Sequence, residues 1–285
     1  MADGRLDSYE GSYYQAVCNE DLISRIRPLL AQAGYKLRDA DGKVYTELQM
    51  AWDTPWHHIY HDHFFDCHIW HKVMFDAISR QLPGNRQFVP SPCQQCWKVV
   101  VRPQTLKQLF ALMKIEQALG RPSKLGIEPR ETVCGLYGGY FYNHSLGEGL
   151  ECWKVVRDAV GKDPNMGESI PIVLKRACTE FEMVVGPSDK WTVTPEQVVL
   201  ETLVNKWFVR DVVHRSQPTH AIANVHRKWI EWAYANGDLT YKEFTNGFPI
   251  YRPVVTYHHL IDEDEQTREE ALKKFGRKGY YGYSV

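Results

Sequence analysis

Between residues 97 and 176 the hydrophobic period of the chain switches repeatedly between two and 3.6, and this alternation restricts the available folds more than any other feature. WKVVVR (97–102) is a β-branched run that reads as a strand. TLKQLFALMKIEQAL (105–119) carries apolar residues at helical spacing, with Gly120 and Pro122 to close it. KLGIE (124–128) and LYGGYFYN (136–143) read as short strands. SLGEGLECWKVVRDAV (145–160) reads as a helix capped by Ser145, with Glu148 three residues on. PIVLKR (171–176) completes the series as a strand.

Strand, helix, two strands, helix and strand, in that order, is the split arrangement of ferredoxin-like sheets. The expected fold class is therefore α+β, a central ferredoxin-like β-α-β-β-α-β sheet flanked by N-terminal and C-terminal helices. Asn19 is placed to cap a helix that Gly34 ends, with Pro28 as a kink inside it. A second helix is expected from His57 to Leu82, stopped by Pro83-Gly84. Residues 194–216 and 218–236 read as a helical pair joined at Pro218. The implied division is a helical, His-rich segment over 1–90, an α/β core with a cysteine site over 91–190, and a C-terminal helical pair with an aromatic tail over 191–285. All three are expected to form one compact unit.

Lys and Arg total 34 against 35 Asp and Glu, with no basic stripe, so extensive nucleic-acid binding is disfavoured. The first thirty residues show no signal-peptide core, and no apolar run approaches the ~20 residues that span a bilayer. Seven cysteines, an odd number, fit a reducing compartment, and the expected location is cytoplasmic. Nine Trp, sixteen Tyr and twelve His favour a ligand pocket and leave a small-molecule substrate as an expectation. The tail KKFGRKGYYGYSV reads as a solvated end, with docking of a protein partner as the alternative.

Cys93 and Cys96 form a CxxC pair leading directly into the 97–102 strand. Two thiolates from one short turn suit zinc or an iron–sulfur cluster. A thioredoxin-like dithiol opens a helix instead, so the following strand argues against that use. In the inferred topology the start of the first strand lies beside the end of the fourth, which places Cys178 next to the pair. The third strand ends at the same edge and brings His144 into range. Cys93, Cys96 and Cys178 are therefore the expected ligands, with His144 or a residue of the preceding helix as the fourth, and Glu180 and Glu182 supporting them from outside the ligand set.

At ~100° per residue on a helix, His57, His61, His68 and His71 fall within roughly 80° of arc, which suggests a second metal or substrate face. His61 and His68 would stand about 10 Å apart along the axis at 1.5 Å per residue, so one ion cannot take all four. YGGYFY (137–142) lacks the basic-Gly-aromatic order of an RNA-stacking strand and is read as core or pocket packing, with its glycines marking close approach. Nothing matches a phosphate-binding glycine loop or a nucleophile elbow. The functional expectation is a metal- or iron–sulfur-dependent enzyme, or a subunit of an enzyme complex. The alternative is a zinc-stapled module for nucleic-acid or protein interaction, without catalysis.

Overall fold

The structure, a computed structural model, describes residues 20–48, 55–59, 67–79, 89–210, 217–247 and 250. In chain order the first half contains α1 (Glu20–Gln32), β1 (Tyr35–Ala40), β2 (Lys43–Leu48), β3 (Trp56–Ile59), α2 (Cys67–Ser79), α3 (Ser91–Gln94), β4 (Trp97–Val101) and α4 (Leu106–Leu119). There follow β5 (Ser123–Ile127), β6 (Tyr137–Asn143), α5 (Leu146–Lys162), β7 (Ile172–Arg176), α6 (Thr179–Val185), α7 (Pro195–Trp207), β8 (Phe208–Arg210) and α8 (Thr219–Ala235). The architecture is a mixture of helices and sheets, and no helix among the described residues is long and apolar enough to cross a membrane.

The principal sheet has five strands in the order β3-β5-β6-β4-β7, all neighbours antiparallel. Sequence alternation led to four strands, so the sheet order differs from that expectation by one edge strand. The added strand is β3, drawn from a segment expected to be helical. β4 lies between β6 and β7, so the beginning of β4 sits beside the end of β7, with Trp97 opposite Arg176.

Side chains alternate across the sheet. Val99, Val101, Leu125, Ile127, Phe141 and Tyr137 point to one face, where they meet Leu109 and Leu112 of α4, Val156 of α5 and the fully buried Trp229 of α8. Thr105 caps α4 by accepting from the Gln108 N–H, and Ser145 caps α5 by accepting from the Glu148 N–H. Such caps contribute about 1 kcal/mol each. Both glycines of the β6 motif make room for protein. A Cβ at Gly139 would collide with the Leu112 side chain of α4, and one at Gly138 would lie 2.9 Å from the Arg102 guanidinium.

A smaller sheet has the order β1-β2-β8, with β2 and β8 parallel. Ile26, Leu30, Trp70, Val204 and Phe208 form its core. Residues from the two ends of the chain therefore share one sheet and one core. The 1–90 segment, expected to be helical, contributes three strands among its described residues. The helix expected over 194–216 stops at Trp207, because Phe208 to Arg210 pairs with Val44 to Thr46. Of the helix expected from His57 to Leu82, the described residues show Cys67–Ser79. His57 and His58 lie in β3, where pairing with Leu125 and Lys124 overrides the helical spacing. This close approach needs glycine at 126, since a Cβ there would collide with the Pro55 carbonyl oxygen.

Candidate functional site

The turn before β4 and the turn after β7 meet at one end of the sheet. The Ala177 N–H donates to the Cys96 carbonyl at 2.8 Å, and Cys178 follows directly. Ala177 is buried and holds φ at 50°, a left-handed conformation costing a non-glycine residue about 1 kcal/mol. The sharp turn takes Cys178 back toward β4. The segments carrying Cys93, Cys96 and Cys178 are thus adjacent, as the strand order requires.

Their sulfurs have separate partners. Cys93, in α3, stands 3.1 Å from Nδ1 of His71, a residue of α2. The Lys98 ammonium donates to the Cys178 sulfur at 3.0 Å. Cys96 is buried and close enough to act on the Lys98 charge. His144 is exposed at the β6–α5 junction, where its backbone N–H donates to Glu148. Glu180 binds Arg130 and Glu182 binds Lys175. Among the described residues, no three His, Cys, Asp or Glu side chains form a group that could hold a metal ion.

The four-histidine face does not assemble on one helix. His57 lies on β3 with its Nδ1 hydrogen-bonded to Glu116 of α4 at 2.9 Å, on the helix-covered side of the sheet. His71 lies on α2 against Cys93. His61 and the His68 side chain lie outside the described residues.

The opposite side of the sheet is unusual for its charge. Lys98 and Val100 of β4, Lys124 of β5, and Tyr140 and Tyr142 of β6 occupy this face by alternation, together with Arg102 and Glu128 just beyond the strands. Lys98 is only 8% exposed and Glu128 only 3%. Arg130 makes two 2.6 Å bonds to Glu128 and a third to Glu180. The Tyr140 hydroxyl donates to Glu128 and accepts from Arg102 at 3.0 Å. Lys124 lies 4.5 Å from the centre of the Trp56 ring and 5.6 Å from that of Tyr140.

Burial opposes the charge of Lys98, but Cys178, then Cys96, and Tyr142 outweigh it and hold the ammonium above the usual lysine range. Burial likewise opposes ionisation of Glu128, yet bonds from Arg130 and Tyr140 keep it below its usual value. Lys124 moves the other way. Burial and the like charges of Lys98 and Arg130 pull it down to about 8, against weaker support from Cys178 and Glu128.

This face can therefore present a sulfur paired with a fixed cation, and an amine without a dedicated anion. Lys98, Lys124, Arg102, Arg130 and Tyr140 were missed in the sequence. Their signal was present for the two lysines, each a single cation inside an otherwise apolar strand pattern. No family model matches the chain, and neither do curated proteins or solved structures.

Proposed function

We propose that the protein is an enzyme, or the catalytic subunit of an enzyme complex, whose reactive group is the Cys178 sulfur held by the Lys98 ammonium. The carrying observation is the 3.0 Å contact between them in a site where Lys98 is buried. A buried ammonium requires a negative partner. Among the described residues Lys98 makes no ion pair with a carboxylate, and its hydrogen bond goes to the Cys178 sulfur. The sulfur of a cysteine is a soft nucleophile, and a fixed ammonium at this distance holds it in place for attack. The surplus of cations on the same face suits a small-molecule substrate carrying an acidic group. The finer topology belongs to this proposal: β4-α4-β5-β6-α5-β7 forms a ferredoxin-like unit with β3 added at the β5 edge. The antiparallel pairings of β4 with β6 and β7, and of β5 with β6, support it.

Alkylation by iodoacetamide, mapped by mass spectrometry, tests the sulfur. Cys178 should react faster than the exposed Cys134, and Lys98→Met should slow it by about tenfold, equivalent to ~1.4 kcal/mol. Equal rates at Cys178 and Cys134 in the wild type would remove the proposal.

A second reading keeps zinc or an iron–sulfur cluster on Cys93, Cys96 and Cys178. The adjacency of their segments favours it, and it requires Lys98 to leave Cys178 when metal binds. Stoichiometric metal in anaerobically purified protein, lost in Cys178→Ala, would establish this reading in place of the first.

A further inference from the structure

Lys124 shares the polar face with Cys178 and Lys98, but its surroundings differ from those of the other paired lysines. Lys175 has Glu182, Lys72 has Asp76, and Lys162 has Asp158. Among the described residues the Lys124 ammonium has no carboxylate at ion-pair distance and no hydrogen-bond acceptor. Its contacts are the ring faces of Trp56 and Tyr140. It projects from β5 opposite His58 of β3 and Tyr140 of β6, and both Lys124 and Trp56 are only partly buried, so a ligand can approach them.

We propose that Lys124 is a nucleophilic amine that forms a Schiff base with an aldehyde or keto compound bearing an acidic group. The neutral nitrogen attacks the carbonyl carbon, a C–N bond forms, and the C=O π pair moves to oxygen, which takes up a proton. The resulting carbinolamine loses the oxygen as water, together with the remaining nitrogen proton, and leaves the imine. No oxidant or reductant is consumed. A lysine becomes nucleophilic near neutrality when it is desolvated beside another cation. Both conditions hold here: Lys98 and Arg130 face Lys124 with like charge, while Cys178 and Glu128 oppose them only in part. His58, Tyr140 and Tyr142 are brought to this face by their strands, as are Arg102 after β4 and Lys175 of β7, and Glu180 reaches it through Arg130. Lys98, which keeps its charge, is the group placed to receive the acidic substituent.

The proposal does not depend on Cys178 being reactive, and the test separates the two. The full-length protein is incubated with glyoxylate over a pH series, reduced with borohydride, and the modified lysines are mapped. Lys124 should be labelled ahead of the exposed Lys72 and Lys162, with a half-maximal extent near pH 8. Lys98→Met should move that midpoint upward, since it removes the neighbouring charge. Lys124→Arg keeps a cation against the rings, so it should lose the label while Cys178 alkylation is unchanged. Labelling spread evenly over surface lysines, or a Lys124 midpoint at the ordinary lysine value of 10.5, would overturn the inference.

Discussion

The two faces of the principal sheet each bury charge, but they balance it differently. On the helix-covered face His57 and Glu116 form a buried pair at 2.9 Å, with side-chain exposures of 5% and 0%. Burial pushes the Glu116 carboxyl up, and the bonds and charge of His57 offset that only in part. Nearby His226 is pulled down, first by burial and then by the charge of His57. These groups sit among Trp229, Phe110 and Met113, in the main core. On the opposite face, cations are gathered around a sulfur, and among the described residues Lys124 has aromatic rings and no ion-paired carboxylate against it. A pair closed within the core fixes strand β3 to helix α4. An unbalanced set on a partly open face is an arrangement that a ligand can complete.

The largest effect that would test this contrast is on the closed side. Glu116→Ala should lower unfolding free energy by about 3–5 kcal/mol, because it leaves His57 buried without its partner. Glu116→Gln keeps an acceptor and should cost about 1–2 kcal/mol; urea unfolding measures both. If both variants unfold like the wild type, the pair does not hold β3 in place.

On the open side, Lys124→Met should stabilise the fold at pH 7 by on the order of 1–2 kcal/mol, since a charge held down by burial is removed. The sign follows from linkage. A lysine whose folded pKa lies near 8, below its unfolded 10.5, opposes folding below about 8, and this penalty is relieved as pH rises between the two values. Urea midpoints for wild type and Lys124→Met should therefore converge through that window. A destabilised variant would mean that the ring contacts outweigh the charge.

The acid limb separates the faces again. Glu128 and Glu180 are both held below their usual values despite burial, so their stabilisation is complete above the unfolded carboxylate range and is lost as pH falls through their folded pKa. Glu116 has the opposite sign: its contribution is complete below the unfolded value of 4.5 and is lost as pH rises through its folded pKa. Glu128→Gln should flatten the loss of thermal stability in acid, whereas Glu116→Gln should not. The smallest effect is expected for Ala177→Gly, within about 1 kcal/mol of wild type, as relief of the left-handed strain offsets greater freedom of the unfolded chain. If Cys178 alkylation slows in that variant, the turn at Ala177 is what holds the sulfur beside Lys98.

Much of the central pattern was legible because it is local. Thr105, Gly120 and Ser145 mark their helix ends by side-chain and backbone chemistry that needs no distant partner. The β-branched run before Arg102 and the run PIVLKR declare strands in the same way. The neighbourhood of Cys96 and Cys178 was also within reach, since it follows once β4 and β7 are neighbours. The histidine face was not legible. Trp56 to Ile59 is four residues long, and its spacing alone cannot distinguish a strand from the start of a helix. Glycine at 126 and the Glu116 acceptor across the chain decide the matter.

By itself, the sequence determined the mixture of helices and strands and the principal caps. Those properties depend on periodicity and on residues a few positions apart. Only the tertiary structure decided that Lys98 would stand against Cys178, that His71 would stand against Cys93, and that Lys124 would lie against the rings of Trp56 and Tyr140. Such partners lie as far apart as residues 98 and 178, so nothing local records them. Register and burial, both products of the whole fold, set which charge meets which.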